Sequence, residues 1–204
     1  MQAPTRGVCV FFYFGGIMMD THALCALLEA SPVIAAVTEE RFKAAVESPA
    51  AVLFHLRANL LHIKAQIDEA HRAGKCILVH LDLAEGIGKD RVGIDYLRQC
   101  GVDGILTTRG QLVRQAKELG LPTVQRFFAL DSQGVAGIHE QLQNTRPDLM
   151  EIMPGTVDKV LAAFAATGIP VIAGGLIETK AEITTALSSG AVAVSTGKKE
   201  LWYV

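Results

Sequence analysis

A few positions in this sequence have the residue types and spacing to do chemistry. Gly174-Gly175 closes one short apolar run, Val171-Ile172-Ala173, and Ser195-Thr196 closes another, Ala191-Val192-Ala193-Val194. Tandem glycine lets backbone N–H groups come close to a phosphate, and adjacent hydroxyls complete an anion site. Gly174, Gly175, Ser195 and Thr196 therefore read as a phosphate cradle, with ordinary turn glycines as the plainer alternative. His80 and Asp82, two apart on an extended run, project to one face. They suit an acid/base pair, metal ligation or hydroxyl binding. No third ligand at matching spacing accompanies them. A hydrogen-bonded core histidine explains His80 equally well, so Asp82 is the stronger candidate. Arg109 closes a run ending Thr107-Thr108, while Arg126 and Glu151 lie inside the apolar stretches Val124–Phe128 and Leu149–Met153. An arginine in an apolar strand is costly unless it is paired or faces a polar cavity. Two readings stay open: a buried Arg126–Glu151 pair, or an arginine reaching a phosphate or RNA while Glu151 binds hydroxyls.

Other familiar chemistry is missing from the chain. There is no G-x-S-x-G elbow, phosphate-binding P-loop or zinc spacing, and no strand lysine suited to a Schiff base. No metal and no cofactor are expected. Basic residues gather loosely at Lys89 and Arg91, at Arg109, Arg114 and Lys117, and at Lys198 and Lys199. Solvated helix faces account for such groups by default.

The elements that must hold these residues repeat regularly from Pro32 onward. The short apolar runs are Val33–Val37, Ala51–Leu56, Cys76–Leu83, Gly104–Thr108, Thr123–Leu130, Leu149–Met153, Val171–Ala173 and Ala191–Ser195. Segments such as Gln111–Leu119 and Val157–Ala165, apolar at helical spacing, separate them. Gly74, Gly101, Gly120, Gly168 and Gly190 each stand where a helix ends before a strand, as left-handed C-terminal caps do. Eight strands alternating with helices imply a parallel sheet, and eight is the number that closes a barrel. The expectation is a compact α/β protein, a (β/α)8 TIM-like barrel over residues 32–204, in preference to an open doubly wound sheet. Only Gly197–Val204 follows the eighth strand, so the last helix is truncated. Residues 1–31 read as an N-terminal extension and a short helix that Asp20 or Thr21 caps, with Leu24, Leu27 and Leu28 on one face. That helix, or a partner subunit in a homo-oligomer, is expected to cover the flank the missing helix leaves bare.

The chain has 204 residues, a net charge of −2 and 50% hydrophobic residues, enough to bury a sizeable core. This composition excludes disorder and gives no general basis for nucleic-acid binding, which would need a local patch. Cys9, Cys25, Cys76 and Cys100 form no C-x-x-C pair, and Cys76 and Cys100 sit in apolar stretches, as reduced core residues of a cytoplasmic protein would. No apolar run is long enough to span a membrane. The run Val8–Ile17 lacks a small-residue cleavage site after it. A start at Met18 or Met19, with residues 1–17 outside the native protein, is preferred to a signal peptide.

Six ordered blocks carry a family resemblance: VHLDLAEGIGKD (Val79–Asp90), ILTTRG (Ile105–Gly110), VQRFFALDS (Val124–Ser132), EIMPG (Glu151–Gly155), IPVIAGGLI (Ile169–Ile177) and SGAVAVSTGKKELW (Ser189–Trp202). Over Pro32 to Trp202 the chain resembles the glycerol-uptake operon antiterminator family. The resemblance implies a cytoplasmic regulator, not an enzyme, that responds to glycerol 3-phosphate. Such a regulator binds the leader mRNA of glycerol-utilisation genes and prevents termination. It also implies a phosphate site at Gly174, Gly175, Ser195 and Thr196, with Asp82, Arg109, Arg126 and Glu151 as candidates for the rest of the pocket. No motif marks the RNA surface, and the near-neutral charge predicts a shallow salt dependence. The alternative is a phosphosugar isomerase or epimerase on the same barrel, with His80, Asp82 or Glu151 as acid and base.

Overall fold

A strand buried on both faces needs an apolar residue at nearly every position, and the eight runs meet that demand by curling into a closed parallel barrel. In this computed structural model, which describes residues 19–204, the strands are β1 (Val33–Val37), β2 (Val52–His55), β3 (Cys76–His80), β4 (Gly104–Thr107), β5 (Thr123–Phe128), β6 (Leu149–Met153), β7 (Val171–Gly174) and β8 (Ala193–Thr196). Each strand pairs with the next, and β8 returns to β1 through Ile34 opposite Ser195. Helix α1 (Thr21–Ala30) precedes the barrel. Seven helices follow the first seven strands: α2 (Phe42–Val46), α3 (Ile63–Arg72), α4 (Arg91–Cys100), α5 (Gly110–Glu118), α6 (Ser132–Thr145), α7 (Asp158–Ala165) and α8 (Lys180–Ser188). A short 3-10 segment, Lys199–Tyr203, stands where the eighth would be. Residues 1–18, including the run Val8–Ile17, Cys9 and Met18, lie outside the described residues.

Alternation along each strand divides the core in two. Val33, Ala35 and Val37 pack outward under the helices, while Ile34 and Ala36 join Val52, Phe54, Leu78 and Leu106 inside the barrel. The five glycines read as helix caps all have positive φ, from 71° at Gly74 to 99° at Gly190. Asp20 caps α1 through the Ala23 N–H at 2.7 Å, and a full capping box of Thr179 and Glu182 starts α8. Cys25, Cys76 and Cys100 are free thiols, the last two buried.

Most strand ends differ from the expected runs by one or two residues, as where β5 stops at Phe128 rather than Leu130. The third run ends as a strand at His80, because Leu81–Leu83 turns into a 3-10 segment, so Asp82 leaves the alternation. The last strand begins at Ala193 rather than Ala191. The cover of the eighth flank also differs. Trp202 and Leu201 bury themselves there, with 1% and 5% exposure, and the Trp202 indole N–H donates to the Thr196 carbonyl at 2.9 Å. Helix α1 goes elsewhere. Leu24 and Leu28 pack against the interior cluster, and Asp20 and Thr21 border a hollow formed with Gly120–Pro122 and Asp148, the residues that lead into β5 and β6. The helix therefore plugs the base of the barrel, and Leu201 and Trp202 rather than α1 lie over the flank.

Candidate functional site

At the carboxyl ends of the strands the inward row changes from aliphatic to polar. Arg126, Glu151, Gly174 and Ser195 all occupy inward positions on β5 to β8, and Arg126 is the direct neighbour of Glu151 in the sheet. The Arg126 Nε donates to Glu151 Oε2 at 2.5 Å, and the Ser195 hydroxyl donates to Glu151 Oε1 at 2.5 Å. Glu151 is fully buried, so both carboxylate oxygens are satisfied from within the barrel. Gly174 makes this approach possible, since a Cβ there would lie 2.4 Å from Glu151 Oε1 and 2.8 Å from Ser195 Oγ.

Above this network lies a cavity of about 430 Å³, lined by Arg41, Arg126, Glu151, Gly175, Ser195 and Lys198 among others. The loop after β7 turns over it with two successive left-handed residues, Gly175 at φ 73° and Leu176 at φ 60°. Leu176 is also 68% exposed. A bulky residue held both strained and wet is a feature of functional loops rather than of stability. Thr196 also borders the cavity, but its hydroxyl donates to the Ile177 carbonyl at 2.9 Å and accepts the Lys198 N–H at 3.1 Å. It ties the β7 and β8 loops together.

Asp82 and Arg109 form a separate cluster that does not line the cavity. Asp82 accepts from the Thr107 hydroxyl at 2.9 Å, the Thr108 N–H at 2.6 Å and the Thr108 hydroxyl at 3.0 Å. Arg109 Nε lies 3.3 Å from Oδ1, its side chain 57% exposed. His80 Nε2 also stands 3.3 Å from Oδ2, in charge-contact range but without hydrogen-bond alignment, and its Nδ1 has no partner among the described residues. Burial opposes ionisation of Asp82, yet the contact with His80 and the donors of Thr108 and Thr107 outweigh it and hold the carboxyl well below the usual range. The cluster stitches β3 to β4.

A depressed carboxyl adds stability above its unfolded pKa of about 4 and loses it as the pH falls through the folded value. Asp82→Asn should therefore cost about 1–3 kcal/mol at neutral pH, the worth of hydrogen bonds to a charged group. The gap from wild type should narrow steadily below about pH 4. Denaturant titrations at several pH values measure it, and a gap independent of pH would refute the assignment.

Of the eight sequence candidates, the structure thus gathers Arg126, Glu151, Gly174, Gly175, Ser195 and Thr196 at the mouth, and places Asp82 and Arg109 at the ends of β3 and β4, outside the cavity. Arg41 escaped the reading of the sequence, although the polar string Thr38-Glu39-Glu40-Arg41 follows β1 as the other tips follow theirs. Among the described residues no three His, Cys, Asp or Glu side chains cluster to hold a metal, and no helix is long and apolar enough to cross a membrane.

Fold and mouth together define the class: a (β/α)8 barrel with a polar cavity at the tips of its last strands. Residues 33–202 match the family model described as glycerol-3-phosphate responsive antiterminator, and the chain belongs to that family. A solved structure, the glycerol uptake operon antiterminator regulatory protein of Listeria monocytogenes, is 33% identical with a TM-score of 0.79, over 83% of this chain and 94% of that one. A related Thermotoga maritima structure, titled a glycerol uptake operon antiterminator-related protein, is also 33% identical, with a TM-score of 0.77, over 84% and 98%. The uncharacterized protein YgcP of Escherichia coli is 32% identical over 182 residues, 88% of this chain and 95% of that protein. More distant barrels, including the deoxyribose phosphate aldolase of Aeropyrum pernix at 12% identity and TM-score 0.64, share the fold alone.

Proposed function

We propose that this protein is a transcription antiterminator that binds glycerol 3-phosphate in the mouth cavity and, once loaded, binds the leader mRNA of glycerol-utilisation genes. The observation that carries the reading is the convergence of Arg126, Glu151, Ser195 and the β7 and β8 loops on one cavity, in a chain of this family. The phosphate sits at the Gly175 and Gly197 loops, where barrels of this kind bind phosphate. The glycerol hydroxyls face the Arg126–Glu151 pair, which its own 2.5 Å contact and the Ser195 hydroxyl hold in position. Loading orders the two loops that Thr196 links, and those loops, with Arg109 and Lys198 on the same rim, present the RNA surface. For this coupling the RNA must bind the loaded state more tightly than the unloaded one.

The same geometry argues against a phosphosugar isomerase. Glu151 has both oxygens engaged, and His80 is buried outside the cavity, so neither is set to exchange a proton with a ligand there. No cofactor and no catalytic step are assigned.

Leader-RNA binding with and without glycerol 3-phosphate, across a range of salt, tests the proposal. The effector should raise the affinity roughly ten-fold or more, the usual scale of such coupling. Glycerol 3-phosphate, and not glycerol, should raise the melting temperature. Binding that ignores the effector and equals that of a scrambled RNA would overturn the reading.

A further inference from the structure

We infer that Arg41 is the cation that recognises the ligand's phosphate and makes the site selective for a dianionic phosphomonoester of a small polyol. The inference rests on the reading of the mouth cavity as an effector site and adds the group that decides its charge selectivity. Five charged side chains line that cavity: Arg41, Arg126, Glu151, Glu178 and Lys198. Four are already neutralised in pairs, Arg126 with Glu151 at 2.5 Å and Lys198 with Glu178 at 3.2 Å. Among the described residues, Arg41 has no carboxylate in ion-pair range; its Nη1 donates to a neutral acceptor, the Gly197 carbonyl, at 2.8 Å. The cavity's unbalanced positive charge therefore resides on Arg41.

Its neighbours keep it so. Arg41 ends the 3-10 turn Glu39–Arg41, closed by its own N–H to the Thr38 carbonyl at 3.2 Å. Both acids of that turn are directed elsewhere, Glu39 to His62 Nδ1 at 2.5 Å and Glu40 to the Thr38 hydroxyl at 2.8 Å. Barrel closure sets β1 beside β8, with Ala35 opposite Thr196, so the turn after β1 overhangs the loop after β8. A guanidinium carries five donors, and the Gly197 carbonyl takes one. The others can grip two phosphate oxygens while the loop contact persists, the planar bidentate geometry in which arginine surpasses lysine. Lys198 must first give up Glu178, which makes it the weaker contributor.

Calorimetric binding of glycerol 3-phosphate, a glycerol phosphodiester and inorganic phosphate to wild type, Arg41→Met, Arg41→Lys and Lys198→Met tests the assignment. Arg41 is exposed, so its variants should fold, as melting curves will check. Arg41→Met should lose roughly ten- to hundred-fold in monoester affinity, the worth of charge-assisted hydrogen bonds. Its preference for monoester over diester should also collapse, Arg41→Lys should recover part of both, and Lys198→Met should lose less. Monoester binding by Arg41→Met within two-fold of wild type overturns the assignment and leaves the effector reading standing. Wild-type binding of inorganic phosphate but not of glycerol 3-phosphate, with the phosphate lost in Arg41→Met, overturns the effector reading and the polyol-monoester selectivity and leaves Arg41 only as the phosphate-binding cation. Binding of neither by wild type overturns both.

Discussion

Glu151→Leu should destabilise the protein by about 3–5 kcal/mol, the cost of leaving a buried charge without its partner. Arg126 is 9% exposed and loses its carboxylate, while the Ser195 hydroxyl loses its acceptor inside the barrel. The double variant Arg126→Met/Glu151→Leu should recover most of that loss, because well-packed apolar residues of similar volume replace a buried ion pair at little cost. Effector binding should not recover. A shift in the denaturation midpoint, measured beside calorimetric affinity, separates the two effects. If the double variant were stable and bound glycerol 3-phosphate as wild type does, the pair would be a core feature and not part of the site. If Glu151→Leu alone stayed within about 1 kcal/mol of wild type, the account of its burial would fail.

The reason the pair was visible in the sequence, and yet ambiguous, is physical. Strands of a parallel barrel are apolar on both faces, so a charged residue within Val124–Phe128 or Leu149–Met153 stands out at once. What the string cannot show is whether two such residues meet, and here they do, as direct neighbours of β5 and β6 that also border the cavity. The buried pair is therefore present, while the reading in which these two side chains meet a ligand belongs to the proposed function. The strand count and the five left-handed glycines were legible because each depends on local pattern alone. Arg41 was not, because its meaning comes from closure: it meets Gly197 across 156 residues of chain, brought there only when β8 pairs with β1. Asp82 misled for the opposite reason. The apolar run Cys76–Leu83 reads as one strand, but the 3-10 turn at Leu81–Leu83 carries the carboxylate over to β4, where the hydroxyls and N–H of Thr107 and Thr108 take it up.

The same lack of long-range information concealed the seat of α1, and with it the second large effect. Leu24→Ala and Leu28→Ala should each cost about 2–5 kcal/mol, the range for emptying a fully buried leucine site. Both side chains are 1% exposed and sit one turn apart on the face that closes the interior cluster. Leu27, on the same helix but only partly buried, supplies the control and should cost less. Since α1 seals the base while the cavity opens at the far end of the strands, the loss should appear in the unfolding midpoint. The affinity of the folded fraction for glycerol 3-phosphate should barely change. Had α1 covered the flank beside β8, these leucines would matter little to the interior. Unchanged unfolding midpoints for both variants would exclude the plug, and a selective loss of effector affinity at full stability would relocate the helix to the mouth.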